Sequence, residues 1–334
     1  MAAPSRPHAR IADTALEATI VGSFTKIGPA VRSRLDDWRP LSDFDLTGRT
    51  VLVTGGNGGL GTATVELLVE AGATVHITVR SEEKGVRTVD EVRRATGSDD
   101  VHFWTLDLMD LDAVRAFGTE FREEVPVLDG LVHNAGAMFE DRAEVDGIER
   151  TVLLHVVAPF LLTHELLPAL RASEHPGRVV WVSSGGMYSE ALRVEKLQSP
   201  DDYEPAKSYA RAKRAQVVLT DQLAARLGDE VVVSAMHPGW AATPGVERSL
   251  PTFNKIMGGL FRDPRSGADT AAWLVAADEP VARPGEFWLD RRTRRTAYVP
   301  GTETRPEQAM ALWAEITSLA GLDNDAFQGS ATAS

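Results

Sequence analysis

The sequence predicts an α/β protein built on one parallel sheet with helices on both faces. From residue 50 onward, short apolar runs alternate with longer helix-spaced segments. A glycine-rich turn joins the first run to the first helix, and Gly72 and Gly97 each stand where a helix must end. Alternating β and α elements leave parallel pairing as the simplest topology, because each crossover lays a helix back on the sheet.

The elements follow in order. Strands are expected at 50–54, 73–79, 101–106, 128–133, 178–183 and 230–236, with a short one near 286–289. Helices are expected at 62–71, 82–96, 111–124, 147–172, 206–227, 266–277 and 307–319. Before them, residues 1–10 read as disordered. Residues 11–38 form a helical or irregular strap in which Leu16, Ile20, Val21, Phe24, Ile27, Val31 and Leu35 recur at roughly helical spacing. The domain reading is an N-terminal extension over 1–41, one domain over 42–320 and a flexible tail over 321–334.

Bulk properties remove several classes of function. A formal net charge of -13 is the wrong sign for a phosphate-binding surface, so nucleic acid is not an expected partner. With no cysteine, disulfides, thiolate catalysis and Cys-ligated metals are excluded. No run of about 18 apolar residues is evident, so a soluble, cytoplasmic protein is expected, without stable membrane insertion. Peripheral membrane contact through 11–38, or assembly into a homodimer or tetramer, stays open. His133, His155 and His237 lack metal-ligand spacing, and no metal is expected. The cluster Arg291-Arg292 and Arg294-Arg295 reads as a solvated loop.

The chemistry starts at the glycine turn, Thr54-Gly55-Gly56-Asn57-Gly58-Gly59-Leu60-Gly61. Placed between a strand and a helix, it lets the backbone approach a pyrophosphate, and the helix N-terminus supplies unpaired N–H groups. This makes the fold a Rossmann-type doubly wound sheet and the ligand a nicotinamide dinucleotide. Thr54, Gly55, Asn57, Gly59, Leu60 and Gly61 are its expected contacts. Arg80-Ser81 ends the second strand, where a guanidinium can bind a ribose 2′-phosphate, so NADP (as NADPH) is expected over NAD. Asp107-Leu108 after the third strand can reach the adenine. Asn134-Ala135-Gly136 after the fourth lets the chain pass close to the cofactor.

Tyr209 and Lys213 lie four residues apart, on one face of a helix. A nearby cation should lower the phenol's pKa from about 10 and make Tyr209 a usable general acid or base. Lys213 can also bond the nicotinamide ribose. After the fifth strand, Ser184 can orient a substrate oxygen; strand alternation alone does not separate it from Ser183.

Together these residues resemble the short-chain dehydrogenases/reductases. The turn resembles that family's Thr-Gly-x-x-x-Gly-x-Gly motif. His133–Gly136 resembles its Asn-Asn-Ala-Gly with the first Asn replaced, and Ser184, Tyr209 and Lys213 match its Ser, Tyr and Lys. Pro238-Gly239, with Thr243, resembles the segment that closes over the nicotinamide. A closer likeness is to the branch named dehydrogenase/reductase family member twelve and its bacterial relatives. It rests on Val53–Asn57, Ser183–Met187, Met236–Trp240 and Thr243–Val246. The resemblance implies reversible hydride transfer between NADP(H) and a carbonyl or alcohol, and it favours Ser184 over Ser183.

Two departures matter. His155 stands where the family places the Asn of its proton relay, so His155 is either a relay group or the mark of a cofactor-binding regulatory or scaffold protein with little catalysis. The loop between Tyr188 and Tyr203 is long and is expected to line or cover the substrate pocket. The apolar stretch of Met236–Trp240, Phe253, Ile256, Met257, Leu260 and Phe261 is either a lid, which would suit a lipophilic substrate, or ordinary helix packing.

Overall fold

The computed structural model describes residues 7–199, 201–242, 255 and 257–328. Its strands are β1 (Thr50–Thr54), β2 (Thr74–Val79), β3 (Val101–Thr105), β4 (Gly130–His133), β5 (Glu144–Val145), β6 (Ile148–Glu149), β7 (Gly177–Val182), β8 (Val231–Met236), β9 (Phe287–Leu289) and β10 (Arg292–Thr293). Eight of them form one sheet in the order β10-β9-β8-β7-β4-β1-β2-β3, parallel except for the β9–β10 pair. β4, β7 and β8 are buried at every residue, which is why they read as continuous apolar runs rather than alternating ones. This is the mostly parallel, doubly wound sheet that the sequence predicts.

Helices cover both faces and make two cores. On one side pack α4 (Gly59–Glu70), α5 (Glu82–Thr96) and α10 (Pro264–Ala276), through residues such as Val65, Val92 and Leu274. On the other pack α6 (Leu111–Glu124), α8 (Ala158–Arg171), α9 (Pro205–Leu227) and α11 (Pro306–Leu319), through Phe121, Phe160, Leu219 and Ile316. The tail expected to be flexible from residue 321 is partly packed. Phe327 is fully buried against Phe160, at 4.8 Å between ring centroids, and Trp313 Nε1 donates to Asn324 O.

The single helix expected over 147–172 is divided. Asp146 (φ 50°) and Gly147 (φ 79°) are both left-handed and turn the β5–β6 hairpin, an Asp-Gly turn of the kind that matches strand twist. There follow α7 (Arg150–Val152), a π-helical stretch Leu153–Val157 and then α8. The π stretch carries His155, and such insertions commonly mark functional positions. By length and composition the helical run Arg150–Arg171 could span a membrane, a feature that the sequence reading did not find. Its most apolar window is 78% buried inside the protein, as for a core helix.

At the N-terminus, α1 (Pro7–Glu17) begins where disorder was expected, followed by α2 (Ile20–Phe24) and α3 (Ile27–Leu35). Helical spacing suggested that the apolar residues dock this strap, and Leu16, Phe24, Val31 and Leu35 are partly buried as expected, but the rest of the face is turned differently. Ile11, Ile20, Val21 and Ile27 are exposed, whereas Asp13, Ser23, Thr25 and Arg32 are buried. The strap is held by ions. Arg32 bonds Asp13 (2.7 Å) and Asp290 (2.6 Å), and Arg262 bonds the other oxygen of Asp290 (2.5 Å). Arg292 and Arg294 each bond Asp13 at 2.8 Å. The arginine cluster read as a solvated loop is therefore largely a buried anchor: Arg291 and Arg294 are buried, and Arg291 pairs with Asp269.

Removing Asp290 would leave the buried Arg262 guanidinium without a carboxylate and take one of the two from Arg32, so Asp290→Ala should cost about 3–5 kcal/mol in denaturant unfolding. Acid acts on the same network. Burial alone would raise the Asp13 carboxyl, but hydrogen bonds and charge from Arg294 and Arg32 outweigh it and hold it well below the usual carboxylate range. Its contribution is therefore complete above about pH 4 and lost as the pH falls below that. Asp13→Asn should flatten the acid limb of the melting temperature plotted against pH.

Candidate active site

The predicted site residues that are described lie where the parallel strands end. At the C-terminus of β1, Gly55 takes φ 63°, and a Cβ there would meet Ala135 Cα at 2.9 Å. Gly56 has Ile77 as close behind it, and Gly61 lies against Gly55 O and Asn134. These three glycines are thus demanded by the protein's own packing. Gly58 differs in that nothing lies within 4 Å of its Cβ direction. It caps α4 without a side-chain acceptor, so an anion there meets backbone N–H groups that no cap side chain competes for. Asn57 and Leu60 flank this open face, and Gly59 (φ 52°) turns into the helix.

Thr54 and Asn134 act as struts between β1 and β4. Thr54 Oγ1 accepts from the backbone N–H groups of Asn134 and Ala135, each at 3.1 Å. Asn134 Nδ2 donates to Thr54 O and Gly55 O, each at 3.0 Å. Gly136 lies against the His155 ring, where a Cβ would meet Cε1 at 2.6 Å. His133, in the position of the motif's first Asn, is buried and pairs with Thr163 Oγ1 at 2.7 Å.

Arg80 is exposed just beyond β2 and has no salt-bridge partner among the described residues. Ser81 is the N-cap of α5, with its hydroxyl not engaged in capping. Asp107 is exposed and accepts from Met109 N (3.0 Å), while Leu108 turns into the core. An open helix N-terminus, an exposed guanidinium and an exposed carboxylate thus follow β1, β2 and β3 at the carboxyl ends of the strands.

The candidate reacting groups sit on α9 and on the turn after β7. The structure distinguishes the two serines: Ser183 is buried and donates to Lys213 O at 2.9 Å, whereas Ser184 is half-exposed and hydrogen-bonds Tyr209. Lys213 is buried and donates to Val182 O at 2.8 Å, with Nζ 5.4 Å from the centre of the Tyr209 ring. His155 meets that ring edge-on at 5.2 Å.

The electrostatics run opposite to the sequence expectation. Burial pushes the Tyr209 phenol up to about 12, and the Ser184 hydrogen bond only partly offsets this. Burial also brings Lys213 down to about 7. A lysine that is itself discouraged from carrying charge, with Nζ directed at a carbonyl, cannot lower the phenol as a surface cation would. His155 is held to about 3 by burial and then by Lys213, so it is neutral. Its Nε2 lies 2.8 Å from Ala137 O and its own carbonyl accepts from Gln216 Nε2 at 2.7 Å.

The long loop after Tyr188 is pinned rather than free. Arg211 bonds Asp202 through two nitrogens (2.9 and 2.7 Å) and Ser199 at 3.0 Å, and Leu192 and Leu197 are buried in the core. Pro238 and Gly239 (φ 70°) follow β8, with Gly239 N donating to His237 Nδ1. Thr243, Phe253 and Ile256 lie outside the described residues. Phe261 is buried, and Arg262 forms a bridge with Ala241.

Sequence reasoning missed Phe24. Its ring lies 4.5 Å from His237 and 5.8 Å from Trp240, and its carbonyl accepts from Trp240 N at 2.7 Å. It was counted as an apolar residue of the strap, and no local pattern distinguishes it from Ile20 or Ile27.

Comparisons with known proteins identify the family. A family model described as short chain dehydrogenase matches residues 49–252. The human dehydrogenase/reductase SDR family member 12 is 37% identical over 253 residues, covering 75% of this chain and 79% of that protein. Mouse polyprenol dehydrogenase is 34% identical over 319 residues, covering 91% and 94%. Among solved structures, an uncharacterized protein from Mycobacterium paratuberculosis superposes with a TM-score of 0.65 at 28% identity, covering 85% of this chain and 98% of that one. RhlG of Pseudomonas aeruginosa, solved as an active-site complex with NADP, gives 0.61 at 27% identity, covering 75% and 96%. By these matches the chain belongs to the short-chain dehydrogenase/reductase family.

Proposed function

We propose that the protein is an NADPH-dependent reductase of lipophilic ketones or aldehydes, working reversibly on the matching alcohols. The observation that carries this reading is the convergence of Ser184, Tyr209 and Lys213, with the phenol strongly protonated. When bound, NADPH supplies a hydride for the carbonyl carbon. Thr54–Gly61, Asp107-Leu108 and Asn134–Gly136 would hold the dinucleotide, with Arg80 and Ser81 at its 2′-phosphate. Lys213, Pro238 and Gly239 would hold its nicotinamide end.

In reduction, Ser184 orients the substrate oxygen and Tyr209 donates its proton to that oxygen as the charge develops. Tyr209 begins the reaction neutral and so has a proton to give, although burial makes it a weaker acid than a free phenol. Lys213, brought down to about 7 by burial, can return a proton to the phenolate that forms. His155 positions the Ala137 backbone and the Tyr209 ring, and as a neutral ring it does not itself carry charge through the relay. The aromatic surroundings of His237 and Trp240 support an apolar substrate.

Two measurements test this. Tyr209→Phe should lower turnover of a ketone and aldehyde panel by about 10²–10⁴-fold and leave NADPH binding intact; a variant that keeps full turnover removes Tyr209 from the role. Arg80→Asp should shift the ratio of kcat/KM for NADPH over NADH by about 10–100-fold toward NADH. A wild-type protein that prefers NADH would count against the assignment of Arg80.

A further inference from the structure

We infer that the N-terminal strap is a working part of the substrate site and that Phe24 is its specificity-determining residue. The inference rests on the reductase reading above and adds a group from outside the residues 49–252 that the family model matches.

The geometry places the Phe24 ring between the two segments that flank the reacting centre. On one side is the turn that carries Ser184. A Cβ at Gly185, the next residue, would meet Phe24 Cε2 at 2.6 Å, so glycine there makes room for the ring. On the other side is the segment following β8, where the ring meets His237 edge-on at 4.5 Å and Trp240 edge-on at 5.8 Å. Behind it lies Tyr188 at 6.3 Å. Phe24 is itself only partly buried, unlike its neighbours Ser23 and Thr25. A partly open aromatic ring beside Ser184 is a wall that an apolar substituent of the carbonyl would touch.

The strap is fixed there by its main chain. Phe24 O accepts from Trp240 N (2.7 Å) and from Arg262 Nε (2.9 Å), and Lys26 N donates to Leu260 O at 3.1 Å. Arg262 also donates to Ser23 O at 2.6 Å and is locked to Asp290. The clamp therefore uses carbonyls, whereas the wall uses the ring, and a side-chain substitution at 24 separates the two. Removing the ring opens space next to Ser184 while the strap stays docked.

The test uses the full-length protein, Phe24→Ala and the milder Phe24→Leu, each with NADP⁺. With oxidised cofactor a ketone binds but cannot be reduced, so affinity is read without turnover. Butan-2-one and 4-phenylbutan-2-one are titrated by ligand-observed NMR. Phe24→Ala should raise the affinity ratio of the phenyl ketone over the small one by about tenfold, because the ligand's ring occupies the vacated volume. Phe24→Leu should fall between, with melting temperature and NADP⁺ affinity unchanged in both. A ratio unchanged in both variants, or no ketone binding by any of the three proteins, overturns the assignment. Ketone binding that shifts as expected, but with no NADPH-dependent reduction by the wild type, would count against the reductase reading and leave Phe24 in the pocket wall.

Discussion

A single buried carboxylate organises the end of the molecule where the candidate site lies. Asp290 sits in the left-handed turn after β9 (φ 54°), 1% exposed, and receives Arg32 from the strap and Arg262 from the segment after β8. Without that acceptor Arg262 would be a buried charge with only the carbonyls of Ser23 and Phe24 to meet it, and Arg32 would keep Asp13 alone, an expensive arrangement. Asp290 therefore fixes three stretches of chain relative to one another: the strap, the β9–β10 turn and the backbone beyond Pro238-Gly239. The position of Phe24 against His237 and Trp240 follows from that lock.

Burial also governs the candidate reacting groups, and it moves their pKa values in opposite directions. A phenol and an ammonium taken out of water both favour their neutral forms, so Tyr209 rises and Lys213 falls. The usual picture of a lysine lowering a neighbouring tyrosine needs a fully charged lysine. Here Lys213 spends a donor on Val182 O and lies 5.4 Å from the ring. The arrangement leaves a protonated acid next to the Ser184 hydroxyl. His155 contributes as a wedge: its Nε2 fixes Ala137, its ring edge supports Tyr209, and its carbonyl takes Gln216. All three contacts come from the one histidine inside the π-helical stretch Leu153–Val157.

Much of the fold was legible because its cause is local. Val51–Val53, Val179–Val182 and Val231–Val233 are apolar at successive positions, which only a strand covered on both faces accommodates. The Asp146-Gly147 turn was equally local, but the apolar run after it concealed a two-residue hairpin. The strap misled for a different reason. Helical spacing of isoleucines normally marks a buried face, yet Ile11, Ile20 and Ile27 face outward because Asp13 and Arg32 found charged partners 258 to 281 residues away.

The sequence by itself determined the sheet, the glycine turn at its edge and the identity of Ser184, Tyr209 and Lys213 as candidates, since each rests on spacing within one or two adjacent elements. Only the tertiary structure decided that Ser183 supports Lys213 O while Ser184 faces Tyr209, that the phenol is raised rather than lowered, and that Arg291–Arg294 anchor the N-terminus. Those outcomes depend on burial and on pairs far apart in the chain, and desolvation is a property of the packed surroundings that no local pattern records.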